Sequence, residues 1–407
     1  MEKLLIYWIW FAQLKGISNW TKQQLLQKFS GPEELYRATE AALGEFSPEV
    51  GKALGNKDLT EALAAYDRCL VGGIRILCYT DEDYPRRLRN IEDPPMVLYV
   101  KGTLPDWDAQ PVIGVVGTRK ASFYGINTAG LLAAQIAACG GLVVSGAAAG
   151  IDAASMEGAL AAGKPTVGIL GGGVDVVYPA ANRELYRKTE KNGCLISEYL
   201  PGSRPYPFHF LERNRLISGI SDGLLVVEAP EKSGALNTAR HAFSQGRDLF
   251  VAPGNLGVDT CVGSNQLLQE GAYPVLRGWD VVKHYQTLYP NAVADRPAPL
   301  EAQPQSKLPQ VAEPVSPPKK QAPAGNTPGK NAIDNWEKST YSVINKRSVD
   351  LTGQEKTVLD LLSETPQLID HVMDRADLPF GTVQSILIRL ALKGLVENHP
   401  DGRVSRK

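Results

Sequence analysis

VIGVVGTRKASFYG, residues 112–125, decides the fold. Val112 to Val116 form a short, almost unbroken apolar run, the pattern of a strand buried on both faces. Gly117-Thr118-Arg119 follows, and a helical stretch, GINTAGLLAAQIAAC, opens just after Tyr124. A strand that runs through a glycine turn into a helix is the first half of a parallel βα unit. Gly117 lets the backbone approach a neighbour closely. Amide N–H groups at such a turn, with the positive end of the helix dipole, favour an anion, and Arg119 can fork onto a phosphate. The plainer reading is a tight βα turn with a solvated arginine.

The unit recurs outward from there. Further strands are expected at GLVVSG (141–146), PTVGILG (165–171), GCLISEY (193–199), LLVVEA (224–229), DLFVAP (248–253) and YPVL (273–276). Helical stretches lie between them: DAASMEGALAA, NRELYRKTEK, LERNRLISGI, ALNTARHAFSQ and SNQLLQE. Alternating strands and helices with apolar strands predict an α/β fold, a Rossmann-like parallel sheet covered on both faces. Two more glycine turns leave the expected carboxyl edge, Ser145-Gly146-Ala147-Ala148-Ala149-Gly150 and Gly171-Gly172-Gly173. Ser145 is a candidate phosphate donor and Asp152 a candidate N-cap for the helix that follows. Three such turns predict a groove lined with backbone donors.

Two familiar nucleotide sites are excluded. No G-x-G-x-x-G opens the first helix, and in GALAAGK (158–164) the lysine follows a helix and precedes Pro165, where a phosphate loop needs Ser or Thr. The stretch Arg204-Pro-Tyr-Pro-Phe-His-Phe-Leu-Glu-Arg213-Asn214-Arg215 sets three arginines among Tyr206, Phe208 and Phe210. Arginines beside aromatics suit an unstacked base and its phosphate. The competing reading has the rings covering the sheet and the arginines in salt bridges. His209, His241 and His284 have no evident nucleophile partner. Glu198 and Glu228 end strands, where a carboxylate more often caps a helix or holds an arginine than does acid–base work.

The formal net charge of −1 argues against bulk-charge wrapping of duplex DNA, so a nucleic-acid site must be local. Five cysteines without a CxxC pair support neither a disulfide framework nor a zinc site, and no cofactor or metal is expected. They suit a reducing, cytoplasmic setting. The apolar run Leu4 to Ala12 is about half of the ~20 residues that a membrane span needs, and no small-residue cleavage site follows it.

Four parts are expected. Residues 1–80 read as helical, either a SAM or helix-hairpin-helix-like domain or a plain helical cap. Residues 81–285 hold the extended Rossmann-like domain. Residues 286–350, with nine prolines between 297 and 328, read as a disordered linker. Residues 351–407 read as a winged helix-turn-helix: a capped helix TGQEKTVLDLL with Thr352 three residues before Glu355, two further helices, QLIDHVMDRAD and PFGTVQSILIRLALKGL, and a hairpin VENHPDGRVSR. The third helix carries only Arg389 and Lys393, few cations for a helix that reads duplex DNA.

These motifs resemble the DNA-processing protein A family (DprA, also called Smf). The resemblance runs in order through VIGVVGTRKASFYG, SGAAAGIDAASMEGAL (145–160), TVGILGGGVDVVYPAANREL (166–185), LISEYLPG (195–202), FLERNRLISGISDGLLVVEAPEKSGALNTARHAFSQGRDLFVAPG (210–254) and SNQLLQEGA (264–272). It implies a non-enzymatic protein that binds single-stranded DNA, protects incoming strands in natural transformation and loads RecA recombinase. It also implies a homodimer formed through the Rossmann-like domain, with region 264–270 in the contact. By motif, Arg119 would hold a phosphate, supported by Gly117, Thr118, Ser145 and Gly146. Phe210 would stack on a base, and Arg213, Asn214 and Arg215 would line the groove and fix its shape. Met156 and Leu211 stand where the family usually has His and Pro. Two alternatives are kept: a Rossmann-like nucleoside monophosphate hydrolase, and a winged-helix regulator.

Overall fold

The computed structural model describes residues 2–43, 46–294, 353–363 and scattered positions from 365 to 406. The chain divides into two compact units, Met1–Gln310 and Val311–Lys407.

The first unit opens with α1 (Glu2–Gln13), α2 (Asn19–Lys28), α3 (Pro32–Arg37), α4 (Pro48–Gly55) and α5 (Thr60–Gly72). Then come β1 (Arg75–Cys78), α6 (Arg86–Arg89) and β2 (Val97–Gly102). The alternating part follows: β3 (Val112–Val116), α7 (Phe123–Ala138), β4 (Leu142–Ser145), α8 (Ile151–Ala161), β5 (Thr166–Leu170), α9 (Arg183–Asn192) and β6 (Cys194–Ser197). It continues with α10 (Pro207–Ile220), β7 (Gly223–Val226), α11 (Gly234–Ser244), β8 (Asp248–Val251), α12 (Val262–Gln269), β9 (Tyr273–Pro274) and α13 (Gly278–Val282).

All nine strands form one sheet in the order β1-β2-β6-β5-β4-β3-β7-β8-β9. The seven from β3 to β9 are parallel, while β1 and β2 extend the edge antiparallel. The chain winds outward from β3 in both directions, so the topology reverses between β3 and β7. A crevice opens at such a point because the connections of the two strands leave for opposite faces.

The inner parallel strands divide their side chains between two cores. Val112 and Val116 of β3 join Val144, Ile169, Leu216, Ile217 and Val226 on the face covered by α10 and α11. Ile113 and Val115 join Ala129, Ala133, Val143, Ile151 and Leu225 on the face covered by α7 and α8. The period-2 geometry of a strand, applied to an unbroken apolar run, produces this double burial.

The first strand lies inside the stretch read as helical. Arg75–Cys78 pairs with Val97–Val100, which closes the helical part at Gly72. The preceding helices have no core of their own. Ile9, Phe11, Leu25, Leu35 and Tyr66 share one apolar cluster with Val97, Tyr99, Met156, Leu170 and Leu195. The apolar run Leu4 to Ala12 lies in α1, whose Ile9 and Phe11 are fully buried. Among the described residues no helix is long and apolar enough to cross a membrane. Met156, at the departure from the family pattern, is fully buried against the Gly168 backbone, where a packing role suffices.

The helix containing Phe210 begins earlier than its prolines suggest. Pro207 occupies the first turn of α10, a position that needs no N–H and suits a fixed φ. Phe208 and Phe210 are therefore helical residues, not loop residues.

In the second unit, α14 (Gly353–Asp360) accompanies β10 (Gln367–Leu368), β11 (Val396–Asn398) and β12 (Arg403–Arg406). The strands form an antiparallel sheet in the order β10-β12-β11, with the expected hairpin pairing Val396 with Arg406. Gln367–Leu368, read as the start of a helix, are a strand bridge. Val383, Ile386, Leu387 and Leu390 are buried at helical spacing. Thr352, most of the second and third expected helices, and residues 295–350 of the expected linker lie outside the described residues.

Candidate nucleic-acid interface

The crevice at the β3/β7 reversal has a volume of about 390 Å³. Its walls come from the turn after β3 (Val116–Arg119), the first turns of α10 (Pro207, Phe210, Leu211, Asn214) and the entry to α11 (Lys232–Ala235). Three cationic side chains line it, Arg119, Lys232 and Arg213, against one carboxylate, Asp152.

The turn after β3 is held from below. Thr118 N donates to Glu228 O at 2.7 Å, and Ile151 N donates to Thr118 O at 3.3 Å. A Cβ on Gly117 would stand 2.5 Å from Ile151 Cγ1 and 2.8 Å from Glu228 O, so only glycine lets α8 and the segment after β7 close in here. Arg119 is thrown outward. It is exposed, makes no ion pair among the described residues, and sets its guanidinium 4.5 Å from the centroid of the Phe210 ring. That cation–π contact is worth about 0.5–1 kcal/mol at an exposed site, enough to aim a long side chain without neutralising it.

Phe210 is half-buried, with Tyr178 at 5.4 Å and the Gly171 backbone beneath it. Asn214 lines the crevice and donates to Gly234 O and Asn237 Oδ1, both at 3.2 Å, which ties α10 to α11. Lys232 is exposed beside Ser233, which caps α11 by accepting from Ala235 N. This entry to α11 is absent from the sequence reading. Its signal, Lys-Ser-Gly just after a strand, acquires meaning only once β7 is known to neighbour β3. Arg204 is exposed, in the segment leading into α10, and does not line the crevice.

Several expected roles need correction. Ser145 is fully buried and donates to Val115 O at 2.6 Å, so its hydroxyl serves the sheet interior and not a ligand. Gly146 presents no free surface, because Arg213 and Asp152 stand on either side of it. A Cβ there would lie 2.5 Å from Arg213 Nη1 and from Asp152 Oδ2. Arg213 is 2% exposed and donates through Nη1 to Gly146 O at 2.8 Å and to Ile169 O. Burial pushes Asp152 up, opposed by Arg213 and by hydrogen bonds from the Ala148 and Gly146 amides, and burial pushes Arg213 down. Asp152 sits inside α8, whose N-cap is Gly150, so it does not cap the helix as expected.

Arg215 does not line the groove. Two residues along a helix is about 200°, so it faces away from Arg213. Its Nη2 donates to both Glu198 oxygens at 2.7 and 2.8 Å, and Nε donates to Asp93 Oδ2 at 3.1 Å. Glu228, the other strand-end carboxylate, accepts from Ser122 N at 2.9 Å and Oγ at 2.5 Å at the start of α7. Both strand-end carboxylates thus have structural partners.

The third glycine turn is roofed by the segment 199–210. Gly173 N donates to Ser203 O at 2.9 Å, and Gly172 faces Ser203 O and Pro205. The expected row of three donor turns is not formed: even at the turn after β3 the Thr118 and Lys120 amides are paired, with Glu228 O and Thr118 Oγ1, and what stays open there is the Arg119 side chain.

The five cysteines are free and buried, with burial pushing Cys69 and Cys194 up to about 12. Among the described residues no group of three His, Cys, Asp or Glu is placed to hold a metal ion.

A doubly wound sheet with a cationic crevice at its reversal point defines a Rossmann-like protein. The chain belongs to the DNA recombination-mediator protein A family, whose model matches residues 75–286. The DprA winged helix domain model matches residues 346–402, which makes the C-terminal unit a winged helix. The chain is 30% identical over 413 residues to Protein Smf of Synechocystis, covering 98% of each chain. It is 38% identical over 223 residues to DNA processing protein DprA of Bacillus subtilis, covering 55% of this chain and 74% of the relative. The solved structure of DNA processing protein A from Streptococcus pneumoniae matches with a TM-score of 0.57 and 32% identity, over 68% of this chain and 97% of that one.

Proposed function

We propose that this chain captures single-stranded DNA in the β3/β7 crevice, shields it in the cytoplasm during natural transformation, and loads RecA recombinase onto it without catalysing a reaction. The observation that carries the reading is Arg119: an exposed guanidinium, unpaired among the described residues and pre-aimed over Phe210 at the mouth of the crevice. Arg119 holds a phosphate, the Phe210 ring meets the adjoining base, and Lys232 at the entry to α11 offers a second cation. Self-association through α12 is supported by the exposed apolar residues Leu256 and Val258 just before it and Val262 at its start.

Against the hydrolase alternative, the carboxylate that lines the crevice among the described residues, Asp152, is buried beside Arg213 and accepts from the Ala148 and Gly146 amides. Glu198 and Glu228 are engaged elsewhere, and Asp175, the carboxylate nearest the third glycine turn, accepts from Gly202 N at 2.6 Å. Fluorescence anisotropy with a labelled oligo-dT, its duplex and a nucleoside monophosphate, across a salt series, tests the reading. The expected outcome is preference for the single strand with a salt slope of a few phosphates. Equal or better binding of the duplex, or turnover of the monophosphate, would remove it. For the later steps, oligo-dT coated with this protein is expected to nucleate RecA filaments faster than bare oligo-dT.

A further inference from the structure

We infer a second base-stacking platform for the same DNA strand, made by the rings of Tyr206 and Phe208 at the start of α10. The inference rests on the single-strand reading above and extends its site beyond the crevice. The two rings stack on each other with centroids 6.0 Å apart and planes 14° apart. Tyr206 is 51% and Phe208 56% exposed, an unusual degree for two adjacent aromatic side chains. Each ring keeps about half of its surface open, which leaves room for a base.

The pair is braced. His209 meets both rings edge-on, at 5.4 Å from Tyr206 and 4.4 Å from Phe208, and itself stacks on Tyr199 at 3.9 Å. His209 Nδ1 lies 3.2 Å from Gly171 O, and Tyr199 OH donates to Glu212 Oε2 at 3.0 Å. A braced ring gives up little side-chain freedom when a base lands on it, so more of the contact energy appears as affinity.

The platform is continuous with the crevice. Pro207 precedes Phe208, Leu211 follows it by one helical turn, and both line the crevice. Leu211 is itself 50% exposed. A strand gripped at Arg119 therefore meets Leu211 and then Phe208 as it leaves over the first turn of α10. Arg204, exposed two residues before Tyr206 and without an ion pair among the described residues, supplies a cation for the departing backbone. Phe210 does not duplicate this role. It is half-buried and already carries the Arg119 guanidinium.

The test compares the full chain with its Tyr206→Ala/Phe208→Ala variant on oligo-dT and on an abasic oligomer of equal length. The variant is expected to bind oligo-dT about tenfold more weakly, with an unchanged salt slope and unchanged binding to the abasic oligomer. Phe208→Trp, which keeps a flat ring, is expected to bind oligo-dT at least as tightly as the natural chain. Equal affinity of the natural chain and the double variant for oligo-dT overturns the platform. Equal losses on both oligomers also overturn it, because a base platform cannot act where there is no base. If the natural chain does not bind oligo-dT, the single-strand reading itself falls, and the platform with it.

Discussion

Two glycine turns leave the same edge of one sheet and meet different fates. The turn after β3 keeps its arginine in the open, while the turn after β5, Gly171–Gly173, is covered by the chain's own segment 199–210. A third turn, after β4, lies between them and is filled by Arg213 and Asp152. In sequence the three look alike, as apolar strand, glycines, helix. Glycine reports only that something approaches closely, and the approaching group can be a ligand or the protein itself. What separates the turns is position: β3 borders the reversal of strand order, whereas β4 and β5 lie within one wing.

The largest effect should come from the filled turn. Asp152→Ala removes the carboxylate that most offsets the burial of the Arg213 guanidinium, and a loss of about 3 kcal/mol is expected in urea unfolding. Combining it with Arg213→Met should recover part of that loss. Unchanged stability with reduced affinity for oligo-dT would instead make the second turn a ligand site and break the comparison. Arg119→Ala probes the open turn. It is expected to weaken oligo-dT binding by about 1.5–3 kcal/mol and to reduce the salt slope by about one, with stability within ~0.5 kcal/mol of the natural chain.

Gly173→Ala addresses the roofed turn. The new Cβ would lie 2.6 Å from Gly202 N and 2.8 Å from Leu200 O, both backbone atoms that yield poorly. A stability loss of about 1–3 kcal/mol with little change in DNA affinity is expected from thermal unfolding and anisotropy together. The smallest effect is reserved for Ser145→Ala, about 1 kcal/mol of stability and none of affinity. A clear loss of affinity there would return Ser145 to the phosphate site.

Much of the sheet was legible because its evidence is local. VIGVV, PTVGILG and GCLISEY are short apolar runs bounded by glycine and separated by helical stretches, the local pattern of strands buried on both faces. Strand β1 was not, because Arg75–Cys78 continues a helical stretch and becomes a strand only through pairing with Val97–Val100, over twenty residues later. Helix α10 begins four residues before the expected stretch LERNRLISGI, because Pro207 suits a first helical turn. Within the candidate site, Arg119 and Phe210 are both named from sequence, and their mutual stacking is not. The sequence placed Arg213 and Arg215 in one motif, and helical rotation sent one into the crevice wall and the other to Glu198.

By itself, then, the chain determined most of the elements of its alternating part, their order of strand and helix, and the residue types able to grip a phosphate. Those follow from short-range periodicity and from side-chain chemistry, which any window of sequence carries. Only the tertiary structure decided which glycine turn stays open, that Ser145 spends its hydroxyl on Val115 O, and that Lys232 joins Arg119 across the reversal. Those outcomes depend on strand order and on what roofs each strand end, and both are set by contacts between residues distant along the chain.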